Sequence, residues 1–288
     1  MNAVRLWFKA VRPYAYSASV IPVALGGLYA RMEAPDRFSG RRMAAALAGG
    51  VLMHTAANLW NDYFDYRHGV DRPGAGEGSG VLVRGEMTPG RCFRGAVLSA
   101  ALGGLAGLWL VMQTGWPLLL LIGLGLLGAL AYAAGPWSPK HRALGEVWVF
   151  LLMGAGMPLG GYMAQTGRFS WGAVAAGIPA GLLMTLLLYA NNLRDIQGDR
   201  EAGLRTLPMR FRPVEAKVLA GLFLAGPYLM TSAMAATGHV PFATQAALLT
   251  LPLAVRWFWK VWTGPVTDGL VKGMALLHLV FGLLFAAG

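Results

Sequence analysis

The chain has 288 residues, 56% hydrophobic and 13% charged, with a formal net charge of +11. Its mean hydropathy of +0.51 is far above that of a soluble domain, and its basic residues sit in loops between apolar runs, which excludes a basic nucleic-acid-binding face. The one cysteine, Cys92, excludes an internal disulfide and a zinc site built from several thiolates, and is expected as a free thiol in a loop.

The first stretch, MNAVRLWFKAVRP, has no long apolar core followed by a small-residue cleavage site. It reads as a short interfacial helix with basic and aromatic anchors. Beyond it, apolar segments long enough to cross a bilayer recur at about 14–31, 43–60, 93–112, 116–134, 144–164, 171–191, 216–236, 241–260 and 269–287. These runs are continuous and rich in Leu, Ala and Gly, whereas the strands of a membrane barrel alternate and are about half as long. The expected fold class is all-α, a polytopic membrane helical bundle of about nine transmembrane helices forming one domain over 1–288. An Asn four residues before an Asp occurs at 58/62 and again at 191/195, at the ends of the second and sixth segments. This hints at repeated four-helix units over about 14–134 and 144–260, with a ninth helix added.

With the N-terminus in the cytoplasm, 19 of the 24 Lys and Arg fall at inner loops and helix ends, which fixes the orientation by the positive-inside rule. The five outer ones are Arg31, Arg37, Arg41, Arg42 and Arg168, and the four at 31–42 are the inconsistency in that pattern. The expected location is a bacterial-type cytoplasmic membrane.

Nine of the 13 acidic residues lie in two of the inner loops. The first loop, 61–92, holds Asp62, Asp65, Asp71, Glu77 and Glu86, and the second, 192–215, holds Asp195, Asp199, Glu201 and Glu215. If the preceding helices run on, Asn58, Asp62 and Asp65 share one face, and so do Asn191, Asp195 and Asp199. Both motifs are expected at one mouth on the cytoplasmic side. Carboxylate clusters without His or Cys partners are a hard oxygen environment that suits Mg²⁺ and not Zn²⁺ or copper. Bridging Mg²⁺ lets acids bind an anionic diphosphate. Arg72, Arg84, Arg194, Arg200 and Arg205 are then candidates for phosphate contacts, although each serves equally well as a topology residue.

Such a site stabilises charge on a departing diphosphate, so an allylic diphosphate with its long hydrocarbon is the natural substrate. Tyr63, Phe64, Tyr132 and Trp137 could shield the resulting cation with their ring faces. The plain alternative for the acids is a pair of solvated loops, against which stands the helical spacing occurring twice. His54, one turn before Asn58, is either an acceptor contact or a hydrogen-bonded histidine of the bundle. Gly123-Leu-Gly125-Leu-Leu-Gly128 matches a dinucleotide fingerprint in form, but lies in an apolar segment with no strand before it and reads as a helix-packing surface. Gly76-Glu77-Gly78-Ser79-Gly80 reads as a flexible loop or a phosphate wrap, and Thr88-Pro89 as a helix start.

These residues resemble the UbiA superfamily of intramembrane prenyltransferases, whose members carry Asn-Asp-x-x-Asp in one cytoplasmic loop and Asp-x-x-x-Asp in another. Here the motifs are Asn61-Asp62-x-x-Asp65 and Asp195-x-x-x-Asp199. The wording is most similar to the 1,4-dihydroxy-2-naphthoate polyprenyltransferases of menaquinone biosynthesis. It is carried by Arg12-Pro13 leading to Ser17 and Pro22, NDYFDYRHGVD at 61–71, AYAAGP at 131–136 with LGE at 144–146, and NNLRDIQGDREAGLRTLP at 191–208. The resemblance implies that Asp62, Asp65, Asp195 and Asp199 hold Mg²⁺, supported by Asn58, Asn61 and Asp71. It also implies that Tyr132 and Lys140 lie near the diphosphate of a polyprenyl donor, with Asn191, Asn192, Arg194, Arg72, Arg84 and Arg205 as further substrate contacts. Relatives often carry Lys where this chain has Leu204, so Arg205 takes on part of that contact. The implied reaction replaces the carboxyl group of an aromatic acceptor with the prenyl chain and releases CO₂. Other acceptors, such as 4-hydroxybenzoate, a tetrapyrrole or a lipid precursor, belong to the same chemistry. Two rivals use other chemistry: a transporter, for which Glu146 is the nearest thing to an acid within a span, and a phospholipid-type phosphotransferase, whose single longer Asp motif is absent.

Overall fold

The computed structural model describes residues 2–73, 78–133, 138–201 and 203–288. Gly76, Glu77, Trp137 and the 134–136 part of the AYAAGP segment lie outside the described residues. Among those described there is no β-strand, and the chain runs through α1 (Ala3–Val11), α2 (Ser17–Glu33), α3 (Gly40–Arg67), α4 (Pro89–Thr114), α5 (Pro117–Ala133), α6 (Gly145–Val149), α7 (Met157–Thr166), α8 (Trp171–Glu201), α9 (Pro213–Ala236), α10 (Leu251–Thr263) and α11 (Asp268–Ala287). A π turn at Phe150–Gly156 joins α6 to α7, making one rod, Gly145–Thr166. The fold is an all-α membrane bundle, the architecture in which an apolar chain satisfies every backbone group within its own segments.

Five helical segments are long and apolar enough to cross a bilayer by length and composition: α4, the α6–α7 rod, α8, α9 and α11. The other apolar segments are helical but shorter, more polar or divided. α2 and α5 have 17 residues each, α3 carries His54, Asn58 and its acidic end, and a 3₁₀ run, Phe242–Thr250, precedes α10. Leu98, Leu105 and Met112 on α4 and Leu120, Leu124 and Leu127 on α5 are exposed, forming an apolar exterior suited to lipid.

Capping residues set the helix starts at both ends of the bundle. Thr88 accepts from the Arg91 N–H with Pro89 in the first helical position, as the Thr-Pro pair predicts. Ser39 accepts from the Arg42 N–H at the start of α3. Packing then depends on closeness of backbones. A Cβ added at Gly26 would lie 1.7 Å from the Pro158 carbonyl oxygen, and one at Gly161 would lie 2.2 Å from that of Val23. α2 and α7 therefore touch along their main chains, which only glycine permits.

Two expectations change. Cys92 is a free thiol but not in a loop: it is fully buried in the first turn of α4, where its Sγ donates to the Leu59 carbonyl at 3.4 Å. Of the glycines in the 123–128 match, Gly123 and Gly125 face open space and only Gly128 packs, against Leu152. The arginines at 31–42 have local work at the end of the bundle away from the acids: Arg37 donates to the Thr166 carbonyl at the C-terminus of α7 at 3.2 Å, and Arg31 stacks over Phe38.

Candidate active site

The first motif stands on the last turns of α3, which is long enough to carry it beyond the apolar part of the helix. Asp62, Asp65 and Asp71 are all buried. Buried carboxylates need partners, and these come from distant parts of the chain. Arg12, the residue that ends α1 in a left-handed conformation at φ 53°, donates to Asp62 Oδ1, and Ser79 donates to Asp62 Oδ2. Lys140, in the 3₁₀ turn Pro139–His141, donates to Asp65 Oδ2 at 2.5 Å and to Asn61 Oδ1 at 3.4 Å. Asn58 donates to the Val11 carbonyl at 3.4 Å, which fixes the chain leading to Arg12. Below it, His54 is hydrogen-bonded to Ser19 at 3.2 Å and meets the Tyr16 ring edge-on, the bundle role that was one of its two readings.

Gly78 closes this half of the site. Its φ is +53°, and a Cβ there would lie 2.7 Å from Asp62 Oδ1 and 2.9 Å from Asp71 Oδ2. A side chain there would collide with both carboxylates and press on the Arg12 guanidinium, so glycine lets the backbone pass this close to them.

The second motif stands on the last turns of α8. Arg194 grips the neighbouring Asp195 with two donors at 2.7 and 2.6 Å, and reaches Asp268 at the start of α11 at 2.7 Å. Asn191 turns back onto its own helix, donating to the Leu187 carbonyl at 3.0 Å. Asn192 donates to Glu146 Oε1 on α6 at 2.8 Å. Asp199 lies within the fields of Asp195, Lys140, Arg194 and Asp65, so it faces the first motif across the mouth. Tyr132, at the end of α5, lies within the fields of Glu146, Asp65 and Asp199. Two links tie the loops together: an Arg72–Glu201 ion pair at 3.8 Å, and a backbone bond from the Ala143 N–H to the Arg205 carbonyl at 2.6 Å.

Most of the residues picked out in the sequence are therefore brought together, but Asn191 is turned onto its own helix and Arg84 and Arg205 also stand apart. Arg84 is folded onto its own loop, donating to the Ser79 carbonyl at 2.8 Å and pairing with Glu86 at 3.3 Å, and Arg205 is placed by its main chain. Glu86 in turn takes a bond from Lys9 at 2.6 Å, which holds its carboxyl below the usual range and ties α1 to this loop. Arg12 and Ser79 were missed as site residues. Arg12 enters the sequence reading as an inner-loop charge and in the Arg12-Pro13 pair of the resemblance, and nothing in its sequence context signals a partner 50 residues away.

The donor set fits a hard cation. The side chains of the two motifs that could ligate offer carboxylate and amide oxygens, with the Ser79 hydroxyl beside Asp62. Among the described residues no three acids, His or Cys are gathered as a ready-made ion site, because Arg12, Lys140 and Arg194 hold the carboxylates instead.

The UbiA prenyltransferase family matches residues 19–282 of the chain. The chain belongs to this family. It is an integral-membrane prenyltransferase, and the transporter and phosphotransferase readings fall away. The chain is 30% identical to the UbiA prenyltransferase domain-containing protein 1 homolog of Drosophila melanogaster, across 98% of this chain and 78% of that protein. It is 26% identical to the 1,4-dihydroxy-2-naphthoate octaprenyltransferase of Bacillus subtilis (strain 168), across 87% of this chain and 80% of the relative. The fold is that of a UbiA homolog from Archaeoglobus fulgidus bound to DMAPP and Mg²⁺, with a TM-score of 0.69 at 15% identity over 98% of this chain and 99% of that one. The identity to the fly protein exceeds that to the naphthoate enzyme, so similarity establishes the family and not the naphthoate branch.

Proposed function

We propose that this prenyltransferase moves a polyprenyl group from an allylic diphosphate onto a hydroxylated aromatic acceptor of the dihydroxynaphthoate kind, with loss of CO₂. The observation that carries the reading is the meeting of two acidic helix ends, α3 and α8, with Lys140 held against Asp65 and within the field of Asp199. The Bacillus subtilis relative supports the acceptor class, and the DMAPP and Mg²⁺ bound to the Archaeoglobus homolog support the donor and the metal.

Asp62, Asp65, Asp195 and Asp199 would hold Mg²⁺, which when bound supplies charge neutralisation to the diphosphate. Arg12 and Lys140 then turn from the carboxylates to the diphosphate oxygens, with Arg194 and Arg72 at the rim. Tyr132 places its ring beside the reacting end of the donor, where a developing allylic cation gains from an aromatic face. The apolar bundle takes up the hydrocarbon and keeps water from the cation. The mouth opens to the cytoplasm, as the excess of Lys and Arg on that side supports.

The test uses purified protein in lipid nanodiscs with Mg²⁺, a polyprenyl diphosphate and a panel of phenolic and naphthoic acceptors, read by mass spectrometry. Product mass reports acceptor, chain length and CO₂ loss together. A product lacking the carboxyl group is expected, and no turnover with any acceptor overturns the reading.

A further inference from the structure

Outside the two motifs the most unusual side chain is Glu146, in the first turn of α6. It is 2% exposed, and an acid within a membrane span is a functional mark. Its Oε1 accepts from Asn192 at 2.8 Å, whereas its Oε2 is buried and has no hydrogen-bond partner. Buried carboxylate oxygens in folded proteins are almost always satisfied, and Oε2 is the one buried carboxylate oxygen without a partner among the described residues. A glutamine there would keep the bond to Asn192 through its amide oxygen but would put an N–H donor where the unpaired Oε2 stands.

The surroundings place this oxygen beside the chemistry. Asn192 lies three residues before Asp195, about one helical turn further into the bundle. At Gly145, next to Glu146, a Cβ would lie 3.6 Å from Lys140 Cα and 3.8 Å from Tyr132 Cε2. Tyr132 lies in the fields of Glu146 and of both motifs, and Tyr189 on α8 also senses Glu146. The groups around Glu146 are thus Tyr132 from α5, Asn192 and Tyr189 from α8, and the 3₁₀ turn of Lys140, whose ammonium is engaged by Asp65.

We propose that Glu146 is the acceptor-side base of the transfer, taking the proton of the acceptor's ring hydroxyl on Oε2 while Asn192 holds Oε1. This rests on the prenyl-transfer reading above and adds the acceptor's half of it. The hydroxyl O–H bond breaks, its proton goes to Oε2 and its electron pair feeds the ring. The activated ring carbon bonds to C1 of the prenyl group as the C1–O bond breaks, and that pair leaves on the diphosphate. The ring carbon then sheds its carboxyl as CO₂, or its hydrogen as a proton to water, and the ring oxygen recovers its proton from Glu146. No oxidant, reductant or further reactant is needed.

Glu146→Gln keeps the size and the bond to Asn192 but cannot take the proton. Its kcat is expected to fall 10²- to 10⁴-fold, with the KM for the donor unchanged and the acid limb of the wild-type pH–rate profile lost. Glu146→Asp is expected to retain that limb with kcat lowered at least tenfold, and it carries the test if the glutamine variant does not insert. A glutamine variant within threefold of wild type, or an aspartate variant with unaltered kcat and pH profile, overturns the inference while the prenyl-transfer reading stands. A wild type inert across the acceptor panel overturns that reading, and this inference with it.

Discussion

The two acidic motifs share a spacing but not an environment. At the end of α3, the Asp62 side chain is 3% exposed and its cation comes from Arg12; at the end of α8, the Asp195 side chain is 38% exposed and its cation comes from the adjacent Arg194. The first half of the site is thus assembled by tertiary structure, from α1, α3, the 78–79 turn and the 139–141 turn. The second is assembled by α8 with one contact from α11, Asp268, and one from α6, Glu146. A buried pair is expensive to break because it leaves an isolated charge in a poor dielectric, whereas a half-exposed pair is largely screened. The first motif should behave as part of the fold and the second as an adaptable surface that closes on substrate.

Substitution at equivalent positions separates the two. Asp62→Ala strands Arg12 and should destabilise the protein by about 3–5 kcal/mol as well as abolish prenyl transfer. Asp195→Ala should abolish transfer equally, yet cost no more than about 1 kcal/mol, because Arg194 keeps Asp268 and solvent. Thermal unfolding in nanodiscs beside the transfer assay reads both effects, and equal destabilisation by the two variants would break the comparison. A smaller effect is expected at Gly78→Ala. The left-handed backbone alone costs about 1–2 kcal/mol with a Cβ, and that Cβ intrudes between Asp62 and Asp71. A Mg²⁺ titration of activity should show a requirement raised at least tenfold, while Gly69→Ala, where φ is also positive but nothing lies near, should share only the stability loss.

The helices were legible because their signal is local: apolar runs between polar loops, Thr88-Pro89 as a start, and an Asn-to-Asp spacing that survives as a shared helix face. The two motifs were legible for the same reason. What the sequence could not reveal was pairing across the chain. The Arg12-Pro13 pair is visible in the sequence, but not the left-handed turn that carries Arg12 to Asp62. Glu146 stands out in the sequence only as the nearest thing to an acid within a span, and its burial against Asn192 of α8 comes from the packing of α6. Arg84 showed the opposite failure: it sits beside an acidic loop in sequence, and its short tether to Glu86 turns it away from the other motif.

The smallest predicted effect bears on how the halves join. Arg72 and Glu201 pair at 3.8 Å with side chains 45% and 55% exposed. At that exposure the attraction is screened, and holding two long side chains in one geometry consumes most of what remains. If the pair only links the loops, Arg72→Ala should shift stability by under about 1 kcal/mol and activity by less than about twofold. Glu201→Ala should then reproduce it, and the double variant should add nothing. If Arg72 instead contacts the diphosphate, as its place after the first motif suggested, Arg72→Ala should raise the donor KM at least tenfold, with Glu201→Ala silent. Donor KM across the three variants decides between a strap joining two rigid loops and a ligand contact shared by both halves of the mouth.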